Sequence, residues 1–299
     1  MSVTTSNGSI APIAQQTIAL DQVPYNIQVP GTYFEVHANY SQAGLLGYPA
    51  QALIIGQMLA SGSAAPNTPI PIYDALSANA YFGAGSICSQ MCAAFIANNP
   101  WTTLFAIGVP DAAGATKAAA SLTFAGTATA AGTLMLYVQG IQVQTGVNVG
   151  DTAATVAGNV AQSLAETLGL DAAATITGDV ITLTALHGGT LGNTLDLRLN
   201  YNPGDTTPAG ITVTLAPFAG GATDPTIAAA LSAISETWFT DIVMCWNDAT
   251  NVSLLEEILV TRFEAMGKLD SHAYRVIEGT PGTVQAAQAS LNSRYASTL

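Results

Sequence analysis

Thr32, Phe34 and Val36 alternate with Tyr33, Glu35 and His37 within residues 27–40, the period of two that predicts a half-buried strand, and Pro30 with Gly31 marks its start. Residues 51–59, QALIIGQML, form instead a short apolar run broken at Gly56, the pattern of a strand buried on both faces. Beyond the loop of residues 61–73, Ser77 opens a helical pattern that Gly83 and Gly85 interrupt. From Ser86 onward Ile87, Cys88, Met91, Cys92, Phe95 and Ile96 recur at helical spacing, and Asn98, Asn99 and Pro100 close the segment. Residues 103–110 read as another buried strand. Strand, helix and strand at these intervals predict an α/β layer.

Between residues 115 and 222 the chain turns to Ala, Gly and Thr with repeated strand patterns, SLTFAG, GTLMLYVQG and IQVQTGV first, with Gly132 and Gly140 at the turns. Asp151 is placed to cap a helix carrying Val156, Val160, Leu164 and Leu168 on one face and stopped by Gly169. AATITG, DVITLTAL, NTLDLRLNY and GITVTLAPF add further strands. The earlier style then resumes. Asp224 and Pro225 read as N-cap and first residue of a helix over TIAAALSAI. Residues 241–247 read as a buried strand. Ser253 and Glu256 have capping-box spacing for a helix carrying Leu254, Leu255, Ile258, Leu259 and Phe263. Gly267 stops it, and residues 271–279 form a last strand. The expected fold is an α/β core domain, a mixed sheet with flanking helices, carrying an inserted β-rich α+β domain. Residues 1–22 form an N-terminal arm without periodicity, 23–114 plus 223–299 the discontinuous core, and 115–222 the insertion. No long-range repeat suggests a solenoid.

Charged residues make up only 8% of the 299 residues and hydrophobic ones 49%, against roughly 25% charged in ordinary soluble domains. Such a surface is either covered by copies of itself, since interface cores are depleted in Lys, Glu and Asp, or solvated by Ser, Thr, Asn and Gln. The net charge is −13, and residues 1–110 hold Asp21, Glu35 and Asp74 but no Lys or Arg. The six basic residues, Lys117, Arg198, Arg262, Lys268, Arg275 and Arg294, are scattered. Phosphate neutralisation needs them clustered, so nucleic acid is set aside as a partner. Cys88 and Cys92, four apart on a helical face, read as small buried thiols, and with Cys245 they suggest a reducing compartment. The N-terminus has neither a basic n-region nor an apolar h-region. Residues 118–150 are broken by Gly, Thr and Gln too often to insert in a membrane. Synthesis and retention in the cytosol are expected.

Chemistry is sparse. No G-x-S-x-G occurs, and Ser63 and Ser86 have no His near them in sequence. His37, His187 and His272 stand more than eighty residues apart and belong to no H-x-x-H. His187 lies in LHGGTLGN, a Gly-rich turn without the Lys and Ser/Thr of a phosphate loop. Glu256 and Glu257 are adjacent and so point about 100° apart on a helix, poorly placed to share one site. No catalytic, metal or cofactor-binding residue is expected, and no cofactor.

The order of blocks carries more. VPGTYFEV (29–36), ALIIGQ, SGSAAPNTPIPI (61–72) and FGAGSICSQMCAAFIANNP (82–100) closely resemble the opening of Mu-like bacteriophage contractile tail sheath proteins. The resemblance continues through AGTLMLYVQGIQVQTGVNVGDTAATVA (131–157), VITLTALHGGTLGN (180–193), FAGGATDP (218–225), WFTDIVMCWNDATNVSLLEEIL (238–259) and LNSRY (291–295). It implies a structural subunit that assembles with copies of itself in stacked six-fold rings around a tail tube protein. Contraction on a baseplate signal then drives the tube through the host envelope and ejects the genome. Baseplate and tail terminator proteins are implied as further partners, and the virion tail, assembled in the host bacterial cytoplasm, as the location. Extended arms of such proteins add strands to neighbouring subunits; residues 1–30, and in them Val23, Tyr25, Ile27 and Val29, are the implied intersubunit arm. Members continue well over a hundred residues past the equivalent of residues 291–299 into a tube-facing C-terminal domain and a second arm, parts that the resemblance implies are missing here. A chain lacking them is expected to polymerise weakly.

Two rival classes remain open at this point. A surface adhesin or other β-rich binding protein would account for the Thr/Gly/Ala-rich segment and predicts an export signal. An enzyme predicts a pocket where His and carboxylates converge.

Overall fold

The computed structural model describes residues 50–298 apart from residues 235, 278–279 and 291–292. The strand expected within residues 27–40 and the arm residues Val23, Tyr25, Ile27 and Val29 lie outside the described residues. In chain order the elements are β1 (Gln51–Gln57), β2 (Ile70–Ile72), α1 (Ala75–Phe82), α2 (Ile87–Asn98), β3 (Thr103–Val109), β4 (Lys117–Gly126), β5 (Gly132–Val138), β6 (Ile141–Val147) and α3 (Ala153–Glu166). They continue with β7 (Ala172–Thr177), β8 (Val180–Gly188), a 3-10 turn (Thr190–Thr194), β9 (Leu197–Leu199), β10 (Ile211–Ala219), α4 (Ala228–Ala233), β11 (Asp241–Met244), α5 (Ala249–Phe263), β12 (His272–Arg275), α6 (Pro281–Ser290) and β13 (Ala296–Thr298).

The six-stranded sheet runs β13-β12-β11-β1-β3-β2. Only β2 is antiparallel to its neighbour; β1 pairs in parallel with both β3 and β11, β11 with β12 and β12 with β13. Along the chain the path runs from β1 outward to β3 and then returns across β1 to β11. That reversal makes a doubly wound sheet, whose ligand crevice falls outside the carboxyl ends of the strands where the order reverses. Successive residues of β1 serve opposite layers, as buried parallel strands must. Leu53 and Ile55 pack with Ile227 and Leu231 near α4 and Leu255 and Leu259 of α5. Ala52 and Ile54 pack with Ala78, Phe82, Cys88 and Cys92 of α1 and α2.

Close approach of α2 to the sheet depends on Gly56. A Cβ there would stand 2.8 Å from the Cα of Cys88, a backbone atom that cannot swing aside. Gly56→Ala is therefore expected to destabilise the fold by about 1–3 kcal/mol, the usual cost of overpacking, readable as a lower midpoint in urea unfolding.

Two smaller sheets are built from residues 117–219: antiparallel β10-β4-β8-β7, and β6-β5-β9. Their core gathers Leu122, Phe124, Leu134, Leu136, Ile181 and Leu183 with Val156, Val160 and Leu164 of α3. Leu168, expected on that face, is 90% exposed because α3 ends at Glu166.

Several helix starts differ from the sequence reading, always because a better-placed acceptor wins. Asp74, not Ser77, caps α1, and its Oδ1 accepts the Ser77 N–H at 2.7 Å. Thr152 caps α3, while the carboxylate of Asp151 accepts the Asn148 N–H in the preceding turn. Asp248 caps α5, so Ser253 and Glu256 lie inside the helix rather than at a capping box. Asp224 and Pro225 start nothing: α4 begins at Ala228, and the Ile227 N–H ahead of it donates to Asn251 Oδ1 at 3.0 Å.

Candidate functional site

Polar side chains concentrate where the six-stranded sheet meets the four-stranded one. Gln57 closes β1, and its Nε2 donates to Asp111 Oδ1 at 2.8 Å and to the Gly188 carbonyl at 2.6 Å. Asp111 follows β3 by two residues. Its Oδ2 accepts the Gly188 N–H at 2.8 Å, and its Oδ1 lies 3.1 Å from His187 Nδ1. His187, at the end of β8, is 4% exposed, and its Nε2 accepts the Ile87 N–H of the first turn of α2 at 3.3 Å. With Nε2 accepting, the ring N–H falls on Nδ1, where it points at Asp111. Burial pushes the Asp111 carboxyl up, but hydrogen bonds from His187, Gly188 and Gln57 outweigh it and hold the group below its ordinary value.

Further ties continue outward from this centre. Asp171 is buried, and its carboxylate accepts from Gln90 of α2 while its carbonyl accepts the Leu186 N–H. Burial raises the Asp171 carboxyl above its ordinary range. Asp224 accepts both the N–H and the hydroxyl of Thr190 at 2.6 Å, and Asn193 exchanges two hydrogen bonds with the backbone of Gly221, each 2.8 Å. Gly189 adopts φ +121°, a conformation that L side chains rarely adopt, and a Cβ there would strike Asp224 Oδ1 at 2.6 Å. The blocks LHGGTLGN and FAGGATDP are thus two halves of one clasp. Next to it is a cavity of about 210 Å³ lined by Gln90, Asp171, His187, Leu191, Thr194 and Cys245.

This clasp occupies the crevice at the carboxyl ends of β1 and β11, the position where doubly wound folds take ligands. Its hydrogen bonds tie the two sheets together. A His beside an Asp suggests a general base, yet the free nitrogen of His187 is committed to a backbone N–H. Ser86, next to Ile87 in sequence, uses its hydroxyl oxygen to accept the Ser89 N–H at the start of α2. His272 lies elsewhere, at the start of β12, with Nε2 2.8 Å from Ser297 Oγ of β13. Among the described residues no three His, Cys, Asp or Glu side chains are grouped to hold a metal ion, and no helix is long and apolar enough to cross a membrane. Cys88, Cys92 and Cys245 are free thiols. Sequence reading did not bring out Asp111, Gln57 or Asp171, since no motif surrounds them; the one available signal was the pair of Gly-rich turns.

The clasp joins a doubly wound sheet to a β-rich body. A sequence relative places the chain among known proteins. The chain is 31% identical over 268 residues to the Mu-like prophage FluMu tail sheath protein of Haemophilus influenzae, a match that takes in 90% of this chain and 55% of the relative. The resemblance carried by the ordered blocks is thereby established: this is a homologue of a Mu-like tail sheath protein. The chain spans about half the length of that curated relative. No protein-family model matches. Among solved structures, the sheath tail protein of Desulfitobacterium hafniense is 15% identical with a TM-score of 0.35, covering 90% of this chain and 56% of that one. A sheath tail protein of Listeria innocua is 11% identical with a TM-score of 0.28, covering 77% and 48%. The kinship rests on the Haemophilus relative.

Proposed function

We propose that this chain is a structural, non-enzymatic part of a contractile tail sheath. Copies stack in six-fold rings around a tail tube protein, bounded by baseplate and tail terminator proteins, in a virion tail assembled in the host bacterial cytoplasm. Contraction proceeds by near-rigid rotation of subunits that buries more intersubunit surface and drives the tube through the host envelope. The observation that carries this reading is the 31% identity to a tail sheath protein across 90% of the chain. In this reading residues 23–114 and 223–299 are the discontinuous core, residues 115–222 an inserted peripheral module, and residues 1–30, with Val23, Tyr25, Ile27 and Val29, the arm that joins neighbours.

The test is expression of the chain at high concentration, alone and together with a tail tube protein, followed by negative-stain microscopy. Tubular sleeves of constant diameter are expected with the tube present and only few or short ones without it, in keeping with the weak polymerisation expected of this chain. Only dispersed particles in both preparations would overturn the proposal.

A further inference from the structure

The start of α2 is tied to β8 through one ring nitrogen. Ile87 is the first residue of α2, so its N–H is among the four that a helix leaves without a partner inside itself. Ser86 and Cys88 on either side of it are fully buried. A buried N–H left without an acceptor costs about 1–3 kcal/mol. Here the acceptor is His187 Nε2, 3.3 Å away and 100 positions further along the chain.

The two nitrogens of that ring meet surroundings of opposite sign. Nδ1 stands 3.1 Å from the Asp111 carboxylate, and Asp171, ahead of β7, adds a second negative charge at longer range. Nε2 meets an N–H at the first turn of a helix, the positive end of its dipole. The other titratable groups around the ring are Lys117 of β4, which pairs with Gly188, Asp224, which is bound to Thr190, and Cys245 after β11, whose thiol burial keeps protonated. Gln57 of β1 and Gln90 of α2 are neutral. A second proton on the ring is therefore drawn in by the carboxylates. It is also incompatible with the bond to α2, because an imidazolium has two donors and no acceptor.

We propose that His187 is a proton-operated latch: its protonation releases the first turn of α2 from β8 while the sheets stay folded. In the neutral ring Nε2 accepts from Ile87. In the charged ring the same nitrogen carries a hydrogen and faces another N–H, donor against donor. The charged ring gives up that bond for an ion pair with Asp111, whose oxygens stay anchored by Gln57 and Gly188. The proton comes from solvent through the cavity that His187 lines. The Asp111, Asp224 and Asn193 ties remain, so the clasp loosens at the start of α2 and not throughout. Histidine is the side chain that ordinarily changes charge between about pH 5 and 8, and mild acid is accordingly the signal. The latch is a property of this chain whether or not it forms sleeves.

Hydrogen exchange at the Ile87 amide tests it, followed in the 299-residue chain from about pH 7.5 to about pH 5 and corrected for the intrinsic dependence of exchange on pH. Protection there is expected to fall about tenfold or more, while amides of α5 and β12 keep theirs. His187→Gln, whose side-chain carbonyl accepts from Ile87 at either pH, should show no such step. Asp171→Asn should retain it, a necessary control because Asp171 also binds α2 through Gln90 and burial raises its carboxyl. Nitrogen-15 spectra of the histidine rings read the same event in the natural chain without any substitution. His187 is expected to carry its proton on Nδ1 at the upper pH and protons on both nitrogens at the lower. Unchanged protection at Ile87, a step that survives in His187→Gln, a step abolished by Asp171→Asn, or a ring still neutral at about pH 5 would each overturn the proposal.

Discussion

Asp111→Ala is expected to lower the stability of the fold by about 3 kcal/mol, the usual cost of removing one partner from a buried charged network. The carboxylate satisfies the Gln57 amide, the Gly188 N–H and His187 Nδ1 together. Gln57 is 1% exposed and His187 4%, so neither can turn to water when Asp111 is lost. Urea unfolding gives the magnitude. Limited proteolysis gives the place, since cleavage between residues 112 and 116 should appear before the core strands open. Asp111→Asn should fall between, because its amide retains one acceptor but turns two hydrogens toward groups that are themselves donors. A loss below about 1 kcal/mol for the alanine variant would mean that the Asp224–Thr190 and Asn193–Gly221 ties hold the clasp without it.

The same group sets a direction for pH. Its carboxyl is held below the ordinary range in the folded chain, so it contributes stability that is present above the unfolded value near pH 4 and is lost as pH falls through the folded value. Asp171 works in the opposite sense. Burial raises its carboxyl, which penalises the folded state once the group ionises and relieves it on acidification. Asp111→Ala should therefore flatten the acid limb of the stability curve below pH 4, whereas Asp171→Asn should raise stability near neutral pH relative to pH 4. Unfolding midpoints measured from pH 3 to 7 would separate the two.

How much of this was legible in the sequence depends on the range over which each signal acts. β1 and β3 were readable because a run such as ALIIG has no place except between two helical layers, and α2 because Ser86 is both a cap and the start of a periodic face. Helix starts at Asp74, Thr152 and Asp248 were misread by one to a few residues. Neighbouring Asp, Ser and Thr all make plausible caps, and only the backbone angles choose among them. The clasp was illegible for a different reason. Gln57, Asp111, His187 and Asp224 are scattered over nearly 170 residues, and nothing in Gln57 or Asp111 marks them before β1, β3 and β8 are brought end to end. Asp224 before Pro225 has the local pattern of a helix cap, but its carboxylate reaches Thr190 instead. The sheath kinship was visible only as an order of blocks, and that order includes both Gly-rich turns of the clasp.

Arg262→Ala is expected to be about as damaging as any single change in the α5 layer, about 3 kcal/mol, although its hydrogen bonds among the described residues go to two carbonyls and a hydroxyl and to no carboxylate. Arg262 is 3% exposed at the last turn of α5. Its Nη1 donates to the Ile234 carbonyl at 2.9 Å, Nη2 to that of Thr237 at 2.6 Å, and Nε to Ser271 Oγ at 3.3 Å. Three loops therefore end on one planar group: the exit from α4, the entry to β11 and the entry to β12. Removing it strands the buried Ile234 carbonyl, at about 1–3 kcal/mol unless water reaches it, and unties the half-buried contact to Thr237 and the Ser271 hydroxyl. Lysine cannot replace the fork, since one ammonium cannot address carbonyls in two directions with the same geometry. Arg262→Lys should recover less than half of the loss in urea unfolding. Hydrogen exchange should show why, with amides of β11 and β12 losing protection while those of β4 and β8 keep theirs. A uniform loss across all three sheets would mean instead that the fold opens as one unit and that Arg262 reports on its global stability.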